Sequence, residues 1–271
     1  MLVFQYIILL NYLEINGRHQ VLIQISSTPK QLIPTIINMS NQITTISFFK
    51  YASLNNKIWG FKMMQFANKD LTKIKGLSFY RLMGSGKGRG FNPFPDWSVY
   101  CLLQVWESEE AAHSFFSASN LIKQYRNHTK ELFTLYMKNI SAGGTWVGKN
   151  PFEKATDLNP NLPIAVITRA TIKWNWLLRF WKYVPTSEEG LEGNEGLIYT
   201  KGVGEVPIIQ MATFSLWKDF ESVKQFAYNS KQHKEAIKKT RKYDWYSEEL
   251  FSRFQPYKST GTWEGKDLLV F

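Results

Sequence analysis

Histidine and cysteine are the side chains that most often hold a metal, and this chain is poor in both: it has His19, His113, His128 and His233, and the single cysteine Cys101. One thiol excludes an intrachain disulfide, a thiolate zinc site and a cysteine-held iron–sulfur cluster. There is no HExxH, HxH or i,i+4 histidine pair, so a zinc or di-iron site would need ligands assembled from distant segments. A haem needs only one axial protein ligand, and it therefore survives an inventory that removes most other redox metals. Hydrolysis has no anchor either, because the sequence carries no nucleophile elbow, Ser–His–Asp order or paired-carboxylate spacing.

His233 shares a helical stripe with Phe226, Ser230, Ile237 and Thr240, which turns it inward. Lys231, Lys234, Lys238 and Arg241 flank it, and such bases can pair with haem propionates. A half-buried histidine beside a solvated basic face accounts for the same pattern. His128 lines up with Leu121, Tyr125, Leu132 and Leu135 and reads as inward too, whereas His113, next to Glu109 and Glu110, lies nearer a helix edge. The run Gly84-Ser85-Gly86-Lys87-Gly88-Arg89-Gly90 lacks the spacing of a phosphate loop or a dinucleotide fingerprint, and no helix start follows it. It reads as a basic hairpin loop that can form the rim of a cavity. Trp174, Trp176, Phe180, Trp181 and Tyr183 crowd one helix with Lys173, Arg179 and Lys182 between them. That pattern is either core, or the wall of a long apolar cavity or a lip facing a membrane.

These residues sit in a chain able to bury a large core, with 271 residues of which 44% are apolar and 15% aromatic. Lys and Arg number 33 against 22 Asp and Glu, a formal charge of +11, and this charge suits an anionic partner. Anionic lipid and nucleic acid exert the same attraction, but the standard RNA-binding signatures are missing. Nucleic acid is therefore not expected, and a peripheral contact with the inner membrane stays open. A single cysteine fits the cytoplasm. The apolar run Leu2–Leu10 is too short to span a bilayer and lacks the basic start and cleavage site of a signal peptide. Residues 1–42 are read as a poorly ordered or spurious N-terminal extension, with Met39 as the expected start.

Periodicity and turn signals predict strands at 43–49, 77–83 and 99–107, and helices at 57–68 and from Ser108 to about Lys138, with a closing strand at 144–149. The second part repeats the order: strands at 164–172, 197–201 and 208–216, helices at 175–183 and from Asp219 to about Phe254, and a last strand near Gly261. Gly144-Thr145-Trp146-Val147-Gly148-Lys149 recurs as Gly261-Thr262-Trp263-Glu264-Gly265-Lys266, and Trp106 and Trp217 each precede an acidic helix start, Ser108-Glu109-Glu110 and Asp219-Phe220-Glu221, that reads as an N-cap. The predicted fold is α+β. Residues 43–149 and 163–271 form two fused ferredoxin-like βαββαβ repeats, joined by the linker 150–162, in a single-chain version of a dimeric α/β barrel.

From Ile43 to Lys266 the chain resembles the spheroidene monooxygenases of bacterial carotenoid biosynthesis. The match is carried by Gly84–Pro95 with Val99-Tyr100, Thr168–Ile172, Lys201–Glu205, Gln210–Trp217, His233–Ile237, Trp245–Phe254 and Gly261–Gly265. The resemblance implies an oxygenase that uses O2 at an allylic carbon near the end of an acyclic carotenoid, giving hydroxy and then keto products. It implies haem as cofactor and an electron-transfer protein such as reduced ferredoxin as donor. His233 lies in a matched segment and His128 does not, which favours His233 as axial ligand, with Lys234 and Arg241 beside it. Arg169, on the first strand of the second repeat, would face bound oxygen provided that it points into the barrel. A non-catalytic carrier of haem or an apolar lipid, and a cofactor-free oxygenase, are the competing expectations on the same barrel.

Overall fold

Three serines start three of the helices. Ser53, Ser108 and Ser119 have extended backbones, and their hydroxyls accept hydrogen bonds from the first-turn amides of Asn56, Ala111 and Leu121. They open α1 (Leu54–Phe66), α3 (Glu109–Ala118) and α4 (Asn120–His128), with α2 (Asn68–Leu71) a single turn between the first two. After a 3-10 turn at Trp174–Trp176 comes α5 (Leu177–Tyr183), and then α6 (Phe220–Asn229), which Asp219 caps by accepting from the Ser222 amide at 2.6 Å. The structure is a computed structural model that describes residues 39–88, 94–183, 194–229 and 244–269.

Eight strands, β1 (Ile43–Lys50), β2 (Leu77–Gly86), β3 (Pro95–Trp106), β4 (Glu131–Gly144), β5 (Ile164–Ile172), β6 (Leu197–Val206), β7 (Gln210–Trp217) and β8 (Tyr246–Gly261), close into an antiparallel barrel in the order β1-β3-β2-β6-β7-β5-β8-β4. The first half contributes β4-β1-β3-β2 and the second β8-β5-β7-β6. Closure removes every open sheet edge. The two seams between the halves are unequal. β4 runs against β8 from Phe133 to Gly144, whereas β2 meets β6 only where Gly84 faces Gly204 and Ser85 faces Val203.

Alternate residues of each strand fill the barrel, with Phe48, Cys101, Leu103, Phe133, Ile167 and Phe214 among the buried interior side chains. Each such side chain contributes about 1.5–3 kcal/mol relative to exposure. The outward side chains of the first half, including Phe49, Tyr100, Leu102 and Tyr136, pack beneath α1, α3 and α4. The outer face of the second half is covered by smaller clusters, one with Val223 of α6 and one with Phe180 of α5.

Two of the predicted helices are too long, and burial on both faces is the reason. α4 ends at His128, where the extended Thr129 donates its amide to the Tyr125 carbonyl. β4 then takes up residues 131–144, with Leu135 and Met137 inside the barrel and Tyr136 packed outside it. A strand apolar on both faces loses the alternation that identifies strands. β8 is buried on both faces along residues 250–256, with polar Ser252, Arg253 and Gln255 among the buried residues, and it takes up the end of the second expected long helix. The repeated hexapeptides are turns rather than strands. Single bridges close Trp146 to Lys149 and Trp263 to Lys266. Gly144 and Gly261, at φ +89 and +79, start them so close to the neighbouring strand that a Cβ would stand 2.1 Å from the Glu249 oxygen or 1.9 Å from that of Leu132. Each turn drives a buried tryptophan, Trp146 or Trp263, into the main core.

Residues 150–162 lie along the barrel. Phe152 is buried edge-on to Phe254 at 5.0 Å, and the Gln42 side chain bonds to the Pro151 carbonyl and the Glu153 amide. Residues 1–38, the larger part of the expected extension, lie outside the described residues.

Candidate functional site

The short seam between β2 and β6 leaves a cleft of about 250 Å³ on the barrel wall. Phe61 and Met64 of α1 form one side, Trp97 and Tyr100 of β3 another, and Val203 and Met211 the remainder, over a floor that includes Gly84, Gly202 and Gly204. Phe61 stands edge-on to Trp97 at 5.5 Å. Phe61 and Trp97, and Val206 and Ile208 on the β6–β7 turn, are all exposed, so the cleft opens to solvent through an apolar rim.

Both carboxylates in its wall are neutralised by partners. Asp96 accepts from Lys201 at 3.0 Å. Burial alone would raise its pKa, but the hydrogen bonds from Ser98 and Lys201, with the lysine's charge, hold it below the ordinary range. Glu205 pairs with Arg81 at 2.7 Å and accepts from the Trp146 indole at 2.8 Å. The Tyr100 hydroxyl is different: it is buried without a hydrogen-bond partner, and burial, with Asp96 adding to it, pushes its pKa up to about 12. At neutral pH it is uncharged, buried behind the cleft wall. Among the described residues no group of three or more His, Cys, Asp or Glu could hold a metal. The lining is mainly apolar, with its two carboxylates paired, and suits an apolar group.

The cleft borders the outward face of the second half, which is buried, with Ala170 and Met211 packed against Phe180 and Trp245. On the outward face of the first half, matching rows across three strands read Phe49–Tyr100–Gly84 and Ser47–Leu102–Leu82. In the second half the corresponding rows read Ala170–Met211–Gly204 and Thr168–Thr213–Gly202. Large side chains are replaced by small ones, and the Thr168 and Thr213 hydroxyls are fully buried without partners. Unpaired buried hydroxyls are costly unless a ligand meets them. Gly202, Gly204 and Met211 belong to this floor and to the cleft alike.

His233, Lys234 and Arg241 lie outside the described residues, as does Arg89 of the glycine-rich run. Of that run, Gly84, Ser85 and Gly86 belong to β2 and line the cleft rather than forming a loop. His128 does not point inward: it lies over the Trp59 ring at 4.0 Å and 2° on the outside of α4, because Leu132 and Leu135, its supposed stripe partners, belong to β4. His113 is exposed. The aromatic helix splits, with Phe180 buried and Trp174 exposed. Of the cleft, the sequence marks only the glycine-rich run, as a cavity rim; it does not single out Tyr100, Lys201 and Glu205, although all three lie in segments that carry the family resemblance.

Arg169 points into the barrel, opposite to its neighbours Thr168 and Ala170. Its Nη1 donates to Glu248, and its guanidinium lies 5.7 Å from the Trp146 ring centre. Glu248 also accepts from the Gly148 amide at 2.7 Å and Thr145 at 3.0 Å, clamping the turn that carries Trp146. Burial would raise the pKa of Glu248, but its hydrogen bonds from Gly148, Arg169, Val147 and Thr145 lower it on balance. A depressed carboxylate contributes stability that is present above its unfolded pKa and is lost as pH falls through the folded one. Glu248→Gln is therefore expected to lower stability at neutral pH by about 2 kcal/mol. It should also flatten the acid limb of the stability curve below the ordinary glutamate range, as read by urea unfolding between neutral and acid pH.

No protein-family model matches the chain. Among curated proteins, the spheroidene monooxygenase of Cereibacter sphaeroides is 36% identical over 227 residues, covering 83% of this chain and 70% of that one. The protein of the same name from Rhodobacter capsulatus is 33% identical over 230 residues, covering 84% and 95%. Among solved structures, an aldoxime dehydratase in complex with butyraldoxime superposes with a TM-score of 0.54 at 7% identity, covering 80% of each chain. A second aldoxime dehydratase superposes at 0.53 and 9%, covering 80% of this chain and 82% of that one. At such identities the likeness is one of fold.

Proposed function

The chain belongs to the spheroidene monooxygenase family, and from that membership we propose that it oxidises an acyclic carotenoid or similar polyene at an allylic carbon near one end. Each hydroxylation places one atom of O2 in a C–H bond and releases the other as water, with two electrons and two protons taken up. A second insertion at the same carbon gives a gem-diol, which loses water to the ketone. The electrons come from an external donor such as reduced ferredoxin.

The observation that carries this reading is the shared border of cleft and floor. At about 250 Å³ the cleft is below the usual size for a small-molecule pocket, so it takes the end of a long apolar chain and leaves the rest outside. Its lining is mainly apolar, the paired Asp96 and Glu205 present no free charge, and Gln210 is a polar side chain in the lining. The end of the chain then lies against Gly202, Gly204 and Met211, at the border of the small-residue floor.

Haem is part of the proposal. His233 would hold it, with Lys234 and Arg241 beside it, and the small side chains and two unpartnered threonine hydroxyls on the outward face of the second half would suit a flat group with polar edges. When bound, haem supplies the activation of O2. Arg169, held by Glu248 on the other face of the sheet, is assigned a positioning role for the Trp146 turn. The barrel itself is read as two fused ferredoxin-like repeats. Support comes from the matched turns at Trp146 and Trp263, where Glu248 accepts from the Gly148 amide and Glu131 from that of Gly265.

The test is an absorption spectrum of the full chain loaded with haem, oxidised, reduced and with carbon monoxide, followed by turnover of a detergent-dispersed acyclic carotenoid with reduced ferredoxin. A Soret band that shifts on reduction and with carbon monoxide, together with oxygen-dependent hydroxy and keto products, is expected. A Soret band without turnover would leave a carrier. Turnover by a colourless protein would remove haem from the scheme.

A further inference from the structure

We propose that the rim of the cleft is a docking surface for the face of an anionic lipid bilayer, formed by one side of α1 with Trp97 of β3 and Ile208 of the β6–β7 turn. Along α1, Leu54, Ile58 and Phe61 fall on one stripe at i, i+4 and i+7, and they are 72%, 46% and 55% exposed. A surface helix normally turns such a stripe to the core; here the core-facing residues are Gly60 and Met63. Trp97 and Ile208 continue the apolar surface around the mouth of the cleft, at 53% and 45% exposed.

Charge selects the occupant. Lys57 and Lys62 flank the stripe on its two sides, Lys87 stands on the β2–β3 hairpin, and α1 contains no acidic residue. Apolar side chains bordered by lysines are the pattern of a helix lying in the headgroup layer, where lysine stems extend to lipid phosphates. The chain's charge of +11 adds long-range attraction to an anionic leaflet. No described helix is long and apolar enough to cross a membrane, so contact through this helix is made at the surface. The function proposed above supplies only the reason for the visit, since a polyene longer than the cleft keeps its remainder in lipid while its end is bound. The rim itself rests on exposure and charge.

The test uses the full wild-type chain and carotenoid-free vesicles, so that neither cofactor nor turnover enters the result. Sedimentation with vesicles of equal phosphatidylglycerol and phosphatidylcholine is expected to carry the protein down, at least tenfold more strongly than phosphatidylcholine alone and less strongly in high salt. The triple variant Leu54→Ser, Ile58→Ser, Lys62→Glu alters exposed residues outside the cleft lining. It should keep the wild-type melting curve and lose at least tenfold in vesicle affinity. Vesicles with brominated acyl chains should quench wild-type fluorescence more than that of Trp97→Phe. The proposal fails if the wild type stays in the supernatant at every composition, or if the folded triple variant binds as well as wild type. It also fails if light scattering shows a dimer in the absence of lipid that the triple variant abolishes. Failure on vesicles with wild-type turnover of detergent-dispersed substrate would leave the enzymatic reading standing.

Discussion

Gly84→Leu is expected to leave the barrel folded and to lower kcat/KM for a long polyene roughly 1000-fold, which is about 4 kcal/mol of transition-state stabilisation. A Cβ built on Gly84 meets nothing within 4 Å, because the residue faces the open cleft. A leucine side chain there projects into the space that the end of the substrate must enter, at no cost to strand pairing. Gly204, its partner across the seam, gives the contrast: a Cβ there stands 2.6 Å from the Gln210 carbonyl oxygen, so Gly204→Ala should lower the melting temperature and the activity together. The two variants separate a blocked site from a damaged fold. Thermal melts by circular dichroism and turnover of detergent-dispersed carotenoid measure both quantities. A folded Gly84→Leu protein with wild-type turnover would move the substrate site away from this cleft.

The order of elements could be read from the sequence because local signals sit at each junction. Ser108 and Asp219 cap helices immediately after Trp106 and Trp217, and the Gly-Thr-Trp hexapeptides mark the end of each half. What could not be read are β4 and β8: Leu132 and Tyr136 add apolar residues to the outward face of β4, and in β8 the buried Ser252 faces inward while Phe251 faces outward, so the period-2 signal that separates strand from helix is blurred. The error at His128 followed from it, since a helix continued past Thr129 places the histidine on a stripe that the chain does not form. The cleft was hidden for another reason. Its floor joins Gly84 to Gly204, residues made neighbours only by barrel closure, and no local pattern announces a pairing across that separation. The glycine-rich run was conspicuous, and its possible use as a cavity rim was legible, but the first three of its residues belong to the strand and line the cavity itself.

The small-residue floor leads to the second large effect. Thr213 lies between Thr168 and Gly202 in one row, and its hydroxyl is buried without a partner. Thr213→Val removes that hydroxyl while keeping the shape. In the haem-free chain it should raise stability by about 1 kcal/mol, because an unsatisfied buried donor is lost and no contact is removed. Thr213→Leu keeps the apolar character but adds bulk on the outward face, where the first half of the barrel carries Leu102 beneath its helices. It should therefore fill the place assigned to the flat group, lowering haem affinity of the folded protein about 100-fold, and, because Thr213 is already buried, lower the haem-free stability by about 1–3 kcal/mol through overpacking. The readouts are Soret absorbance per protein after loading and the rise in melting temperature on adding haem. That rise follows RT ln(1 + [L]/Kd) and vanishes when binding is lost. Haem uptake by Thr213→Leu equal to that of wild type would show that these threonines face ordinary core, and the cofactor would have to be sought on another face of the barrel.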